Sequence, residues 1–136
     1  MKRTASAHWE GDLKTGRGSV STQSSVLNKT QYSYNTRFAD GIGTNPEELL
    51  AAAHAGCFTM AVGAVLTQAG IIVTSLDTEA TLNMDGLAVT SIHLAIKGKV
   101  PGITAEKFTE VTKGAEKSCI ISKALSISIT SESVLV

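Results

Sequence analysis

One segment, GTNPEELLAAAHAGCF at residues 43–58, restricts the possible folds of this chain more than any other. Asn45 is a good helix N-cap, and Pro46 suits the first helical position because that position needs no backbone N–H. Small and apolar residues continue to Gly70, a typical C-cap, so the pattern predicts a helix over about residues 46–69. This helix is apolar nearly all round, and we therefore expect it to be buried.

Composition and charge exclude several classes of protein. The 136 residues fit one domain, and the 12 acidic and 12 basic residues give no net charge. The basic residues are also scattered, which argues against nucleic-acid binding. The longest apolar run, around Phe58 to Leu66, is too short and too interrupted for a membrane span, and no apolar signal segment follows Met1. We expect a single soluble, cytoplasmic domain over residues 1–136.

Periodic patterns predict strands on both sides of this helix. Alternation of apolar and polar residues predicts strands over residues 4–9, 32–38, 71–84 and 87–100, and from residue 125 onward. A segment rich in Ser, Thr and Val predicts another strand over residues 19–27. Asp85 and Gly86 predict a two-residue hairpin, and a change of phase in the return strand predicts a bulge near Thr90 and Ser91. On the strand over residues 32–38, Arg37 is expected on the face opposite the aromatic residues.

A second helix is predicted from Thr104, its N-cap, to about Ser118. Phe108, Val111, Ala115 and Cys119 follow a spacing of three and four residues, which places them on one buried stripe. The order of strands, helix, hairpin, helix and strand indicates an α+β domain. The short chain and its apolar first helix also suggest a dimer that shares its core.

Cys57 has two interpretations. A buried cysteine is in general a small apolar core residue. Gly56 precedes it, however, and glycine is costly inside a helix, which indicates a break or restart of the helix there. A restart would place Cys57 in a first turn, where free N–H groups and the helix dipole favour a thiolate. A bend would also bring Glu47 towards the thiol, whereas ten residues of straight helix cover about 15 Å.

Arg37 is the candidate group for stabilising such a thiolate through its fixed positive charge. Glu47 would orient the guanidinium group through a charge-assisted pair. The alternatives are a solvated charge on an edge strand for Arg37 and, for Glu47, a helix N-terminal acid that complements the helix dipole.

His54 and Cys119 each leave more than one interpretation open. His54 lies three residues before Cys57, which permits the Cys–His pair of an acyl-transfer enzyme, or two ligands of a zinc site completed by Cys119 in a non-enzymatic stress protein. A buried histidine with its hydrogen bonds satisfied is the alternative. Cys119 is either a core residue or a resolving thiol, which would condense with a Cys57 sulfenic acid to a disulfide.

Three motifs resemble the osmotically inducible protein C (OsmC) family, which is related to the organic hydroperoxide resistance (Ohr) proteins. They are YNTRF at residues 34–38, GTNPEELLAAAHAGCFTMA at 43–61, and AEKSC with ISKAL at 115–119 and 121–125. The resemblance covers most of the chain, and the position of Arg37 resembles the OsmC branch more than Ohr. One departure is Ile120, since the family commonly has proline after the second cysteine.

The resemblance implies a thiol-dependent peroxidase of the stress response that prefers organic hydroperoxides to hydrogen peroxide. Cys57 would be the peroxidatic cysteine, Cys119 the resolving one, Arg37 the activating arginine and Glu47 its partner. The implied fold has antiparallel sheets wrapped around two central helices in an intertwined homodimer, with active sites at the subunit interface. Family members take electrons from lipoylated proteins or small dithiols and use no metal, flavin or haem.

Overall fold

The chain begins with a small sheet, seen in a computed structural model that describes residues 1–136. Its three antiparallel strands, in the order β1-β2-β3, are β1 (Ala5–Glu10), β2 (Arg17–Thr22) and β3 (Thr30–Tyr32). A short helix, α1 (Tyr34–Phe38), follows, and then a long helix, α2 (Pro46–Gln68). The chain forms two compact units, Met1–Leu49 and Leu50–Val136, and the boundary falls in the first turn of α2.

The segment predicted as a strand over residues 32–38 becomes a helix after Tyr32. Ser33 caps α1: its hydroxyl accepts from the backbone N–H of Thr36 at 3.3 Å, and the Thr36 hydroxyl accepts from the backbone N–H of Ser33 at 2.9 Å. This reciprocal capping box outweighs the alternation of aromatic residues. The strand prediction is therefore wrong here, and Arg37 lies in the last turn of a helix.

The two ends of α2 lie where the sequence predicts them. Asn45 Oδ1 accepts from the backbone N–H of Glu48 at 2.7 Å, which satisfies a free donor of the first turn. At the other end Gly70 has φ +71°, and the N–H of Ile71 donates to the carbonyl of Leu66 at 2.9 Å. This is the hydrogen-bond pattern of a Schellman motif, which closes the helix.

Between its ends, α2 runs through Gly56 without interruption, so the predicted break is wrong. A glycine costs a helix about 1 kcal/mol, which the packing of a 23-residue helix outweighs. The helix is also not buried all round. One face, which carries His54, Phe58, Val62 and Leu66, is fully buried, whereas Met60 is 77% exposed. Within this single chain α2 is therefore not fully buried as expected, because only one of its faces is covered.

By length and composition α2 is long and apolar enough to cross a membrane. Its most apolar 18 residues have a mean hydropathy of 1.8, and 22% of them are buried. The sequence pattern predicts an apolar run too short to span a membrane. This prediction of length is wrong, because the helix extends well beyond Phe58 to Leu66. Core helices of soluble proteins meet the same requirements, so length and composition alone do not indicate a membrane segment.

The second unit contains a three-stranded sheet in the order β4-β5-β6, formed by β4 (Ser75–Asp85), β5 (Ala88–Lys99) and β6 (Ser128–Leu135). A two-residue turn of Gly86 and Leu87 joins β4 to β5, one position later than predicted, because Asp85 still pairs with Ala88 as the last residue of β4. The register shifts so that Asn83 faces Ser91 and Met84 faces Val89, which confirms the predicted bulge. β6 pairs with β5 in parallel. This sheet is mixed rather than antiparallel because a helical crossover separates β5 from β6.

That crossover consists of α3 (Ala105–Ser118) and α4 (Ile120–Ala124). Thr104 caps α3 by accepting from the backbone N–H of Lys107 at 3.1 Å, as predicted. The predicted stripe of α3 is buried and packs with the buried face of α2 and with β5, and its members are Phe108, Val111, Ala115 and Cys119. Cys119 ends α3 and begins α4, a five-residue helix that the sequence did not predict.

Candidate active site

Cys57 and Cys119 lie side by side in the second unit. Their Sγ atoms are 3.0 Å apart, and both cysteines are reduced. Cys57 is half-buried on α2, whereas Cys119 is 1% exposed at the junction of α3 and α4. A disulfide bond is about 2.05 Å long, so oxidation requires the two sulfurs to approach by only about 1 Å. The fold therefore brings together two thiols that are 62 positions apart in the sequence.

The surroundings of Cys57 favour its thiolate. Burial raises the pKa of the Cys57 thiol, but hydrogen bonds from Cys119 and from the backbone N–H groups of Ile121 and Ile120 outweigh burial and lower it. These N–H groups belong to the first turn of α4, which has no side-chain cap. Free N–H groups in a first turn favour a negative charge.

Cys119 has the opposite electrostatic character. Burial and the hydrogen bond to Cys57 raise the pKa of the Cys119 thiol, and donors from Ser122 and Ile121 only partly offset them. Cys119 is therefore the harder of the two thiols to ionise, and it donates its hydrogen towards the Cys57 sulfur at 3.0 Å. The two sulfurs thus differ in how readily they ionise: Cys57, the more exposed one, ionises more readily, and the buried Cys119 is its hydrogen-bond donor.

His54 is fully buried one helical turn before Cys57, and its hydrogen bond goes to neither cysteine. Its Nε2 lies 2.8 Å from the hydroxyl of Ser122 in α4, while Nδ1 has no hydrogen-bond partner. Burial lowers the pKa of His54, which keeps the imidazole neutral at pH 7. The geometry gives no support to a Cys–His nucleophile pair. Residues 1–136 contain no group of three or more His, Cys, Asp or Glu side chains that could hold a metal ion.

Arg37 and Glu47 form an ion pair within the first unit. Arg37 Nε donates to both carboxylate oxygens of Glu47 at 3.2 Å, and Nη2 contacts Oε1. The hydrogen bond with Arg37 lowers the pKa of Glu47, and the same bond raises the pKa of Arg37. Arg37 belongs to α1, which its capping box stabilises, and Glu47 belongs to the first turn of α2, which begins at Pro46. The predicted pair is formed, although α1 rather than a strand carries the arginine.

Aromatic side chains lie beside Arg37, the basic member of this ion pair. The Arg37 guanidinium carbon lies 5.1 Å from the centre of the Phe38 ring, and the rings of Tyr34 and Phe38 are 5.0 Å apart. Together with Trp9 and Leu13 they line a pocket of about 270 Å³ that also contains Arg37. The first unit thus combines a fixed positive charge with an apolar surface.

Sequence reasoning missed Ser122 and the helix α4. The motif ISKAL was part of the family resemblance, but five residues are too few to show a helical period. One pattern in the sequence is consistent with this helix: Ser122 follows Cys119 by three residues, and a hydroxyl at that position can reach back to a helix N-cap.

The comparison with known sequences identifies the family. The family model described as OsmC-like protein matches residues 39–133. Peroxiredoxin OsmC from Escherichia coli strain K12 and the protein of the same name from Shigella flexneri are each 47% identical over 134 residues, which is 96% of this chain and 94% of theirs. Both results agree with the sequence motifs that resemble the OsmC family.

Solved structures show the same fold. An OsmC-like protein of unknown function from Vibrio cholerae matches with a TM-score of 0.77 at 14% identity, over 98% of this chain and 99% of that chain. The organic hydroperoxide resistance protein OhrB of Bacillus subtilis matches with a TM-score of 0.66 at 24% identity, over 98% of each chain. The predicted OsmC/Ohr-like α+β fold is thereby confirmed. The chain belongs to the OsmC-like family and is a peroxidase of that family.

Proposed function

We propose that this peroxidase reduces organic hydroperoxides, and hydrogen peroxide more weakly, in a two-cysteine cycle of the stress response. The observation that carries the proposal is the pair of sulfurs 3.0 Å apart, with Cys57 as the acceptor and Cys119 as the donor. A peroxidatic cysteine must ionise readily and lie within reach of a second thiol, and the lowered pKa of Cys57 and its distance from Cys119 support this role.

The first step consumes the peroxide. The Cys57 thiolate attacks the terminal oxygen of ROOH, the S–O bond forms as the O–O bond breaks, and the departing alkoxide takes a proton to become ROH. In the second step Cys119 attacks the resulting sulfenic acid, the S–S bond forms, and the hydroxyl leaves as water. An external dithiol then reduces the disulfide, and we propose a lipoylated protein or a small dithiol in the cytoplasm for this role. The cycle uses no bound cofactor.

Arg37 and Glu47 serve the first step in this proposal. Glu47 holds Nε and Nη2 of the guanidinium, and the remaining N–H groups are free to donate to a peroxide oxygen or to the Cys57 thiolate. The aromatic pocket around Arg37 suits the apolar group of an organic hydroperoxide better than it suits hydrogen peroxide.

We further propose an intertwined homodimer in which the arginine of one subunit acts on Cys57 of its partner. Ten residues of continuous helix cover about 15 Å, which is too long for the Glu47 end of α2 to serve Cys57 on the same helix. The exposed side of α2 supports a dimer, since an apolar helix face with Met60 77% exposed is unfavourable in water.

A steady-state assay tests the proposed activity. Cumene hydroperoxide and hydrogen peroxide are compared at equal concentration, with dihydrolipoamide as the dithiol donor and glutathione as the monothiol control. We expect turnover with the dithiol, a higher kcat/KM for the organic peroxide, and little turnover with glutathione. Equal rates for the two peroxides would contradict the role of the aromatic pocket, and no turnover with any thiol would contradict the cycle.

A mixing experiment tests the shared active site. The variants Cys57→Ser and Arg37→Met are prepared separately and also coexpressed. If the arginine acts across the dimer, each mixed dimer contains one complete site. Random pairing makes about half of the dimers mixed, so about a quarter of the wild-type activity is expected. If the arginine acts within its own subunit, every mixed dimer lacks a complete site and the coexpressed sample stays as inactive as its components.

A further inference from the structure

Trp9, Gly18 and Tyr32 form one row across the first sheet. Trp9 of β1 pairs with Gly18 of β2, which in turn pairs with Tyr32 of β3. Side chains in such a row project from the same face of a sheet, and the two outer strands of three lie roughly 9.5 Å apart, twice the strand spacing. The centres of the Trp9 and Tyr32 rings are nevertheless only 5.6 Å apart. The two rings therefore lean towards each other over the middle strand.

Gly18 is required for this arrangement. A Cβ atom at Gly18 would lie 2.5 Å from the Tyr32 ring and 2.7 Å from the Trp9 ring, and both distances are well below van der Waals contact. The indole is also fixed at its polar end, where Nε1 donates to the carbonyl of Gly11 at 3.0 Å. Trp9 is thus held in one orientation by its contacts with β2, β3 and the turn after β1.

The Trp9 and Tyr32 rings line the pocket that contains Arg37. This pocket, about 270 Å³ in volume, lies wholly within the first unit, and four of its seven lining residues are aromatic. Two of its apolar side chains remain exposed, Leu13 at 66% and Phe38 at 41%. Pockets that enclose drug-sized ligands measure about 300–1,000 Å³, so this pocket suits one compact group. An aryl group gains most there, because its edge-to-face contacts with aromatic rings add to the gain from burial.

We propose that Trp9 is a specificity-determining residue of the peroxidase reaction and that this pocket selects hydroperoxides with a compact aryl group. The inference rests on the proposed function, in which a free N–H group of Arg37 donates to a peroxide oxygen. With that oxygen at Arg37, the organic group of the same molecule enters the pocket and lies against the Trp9 ring. A methyl group gains less than a phenyl group in this position, since it buries less area and has no ring.

A purely structural role for Trp9 leads to a different expectation. Aromatic side chains can cover a glycine in a strand, which stabilises a sheet without any ligand. Substitution of Trp9 would then lower the stability of the sheet and slow the reduction of all peroxides alike. A role in specificity instead changes the ratio of kcat/KM between two peroxides that differ only in their organic group.

Cumene hydroperoxide and tert-butyl hydroperoxide are a matched pair, because the first carries a phenyl group where the second carries a methyl group. Their kcat/KM values are measured with dihydrolipoamide as the donor, and the intrinsic reactivity of each peroxide cancels when their ratio is compared between variants. We expect a ratio of at least about ten in the wild type, as for the burial of one phenyl group.

Two substitutions of Trp9 separate the ring from its bulk. In Trp9→Leu, which keeps an apolar side chain without a ring, the ratio should fall about fivefold through the loss of aromatic contacts. Trp9→Phe keeps a ring and should retain most of the ratio. Val26→Ala, at a site 83% exposed in the same unit, is the control and should keep the wild-type ratio.

Gly18→Ala tests the arrangement of the rings without removing either of them. The added methyl group must displace the Trp9 ring or the Tyr32 ring, so the ratio should fall in the same direction as in Trp9→Leu. A wild-type ratio in folded Gly18→Ala would contradict the inference. If Gly18→Ala does not fold, the comparison of the two Trp9 variants decides.

The outcomes separate this inference from the proposed function. If the wild type reduces neither peroxide, the proposed function itself fails. Turnover with an unchanged ratio in Trp9→Leu overturns the inference and leaves the two-cysteine cycle intact. Equal slowing with both peroxides also overturns it, and indicates packing alone or a pocket filled by a second copy of this chain. Equal losses of the ratio in Trp9→Leu and Trp9→Phe overturn the role of the aromatic ring.

Discussion

The ion pair and the sulfur pair are built in opposite ways. Arg37 and Glu47 lie ten positions apart, at the ends of two helices joined by a short loop, and their side chains are 35% and 16% exposed. Cys57 and Cys119 lie 62 positions apart and meet in the apolar core. The ion pair therefore depends on local caps and loops, whereas the sulfur pair depends on the packing of α2, α3 and α4.

This difference suggests that the two pairs have separate roles in the reaction. The ion pair keeps its charges over a wide pH range, because each partner stabilises the charged form of the other. In the sulfur pair the pKa of one thiol is lowered and that of the other is raised, and in the proposed cycle the state of both sulfurs changes at each step. We expect substitutions in the sulfur pair to abolish peroxide reduction, and substitutions in the ion pair to lower the rate of peroxide reduction.

The largest effect is expected for the sulfur pair. Cys57→Ser should reduce peroxidase turnover by roughly 10³-fold or more, because a serine hydroxyl at neutral pH is not an alkoxide and cannot replace the thiolate. Turnover of cumene hydroperoxide with dihydrolipoamide measures the loss. Cys119→Ser is the companion variant: it should consume one equivalent of peroxide and then accumulate a sulfenic acid on Cys57, detectable with a dimedone probe. A disulfide-free Cys119→Ser enzyme that turns over at the wild-type rate would show that the sulfur pair is not the unit of chemistry.

A smaller effect is expected for the arginine. Arg37→Met should lower the rate of peroxide consumption by about 10²-fold, comparable to the loss of one preorganised donor in other enzymes. Disulfide formation after oxidation should not change. Arg37→Lys should recover only part of the rate, because an ammonium group does not reproduce the two-point contact with Glu47. If the two half-reactions slow equally, the ion pair and the sulfur pair are not functionally separate.

The partner carboxylate should matter less than the arginine itself. Glu47→Gln removes the charge but keeps a hydrogen-bond acceptor, so we expect a loss of about tenfold in peroxide consumption. The pKa of Glu47 is lowered in the folded protein, and its contribution to stability is complete above the pKa of an unfolded glutamate, about 4.3, and is lost as pH falls through the lower folded value. Acid unfolding of wild type and Glu47→Gln should therefore differ above this range and converge below it.

The pH dependence of Cys57 gives the smallest but most specific effect. Because the pKa of Cys57 is lowered, the rate of alkylation by iodoacetamide should reach half its maximum below about pH 8.5, the midpoint of an ordinary thiol. In Cys119→Ala the midpoint should move upward, since Cys119 no longer donates to the thiolate. A midpoint that stays in place would show that the N–H groups of α4 alone determine the ionisation of Cys57.

The sequence predicts most of the helices and strands but not α4, the short helix at the candidate site. Helix caps at Asn45 and Thr104 and the bulge near Thr90 depend on neighbouring residues, so local chemistry was sufficient to predict them. The alternation of aromatic residues around Arg37 predicts a strand, but the capping box of Ser33 and Thr36 stabilises a helix instead. Gly56 predicts a break, but the packing of the whole helix outweighs a local cost of about 1 kcal/mol.

For the candidate site, the sequence predicts which residues take part but not how they are arranged. Side-chain chemistry and motifs that resemble a family point to Cys57, Cys119, Arg37 and Glu47. Whether two sulfurs in different elements touch depends on how helices pack, which no local pattern contains. The bond between His54 and Ser122 is of the same kind, because its partners are 68 positions apart and one of them lies in a helix too short to predict.

The measurement that tests the account most directly is a free-thiol count with intact mass, before and after one equivalent of cumene hydroperoxide. We expect the loss of both thiols, Cys57 and Cys119, together with a decrease of two hydrogens in mass, and a faster loss with cumene hydroperoxide than with hydrogen peroxide. Retention of both thiols after the peroxide has been added would contradict the central claim that these two sulfurs form a peroxide-reducing pair.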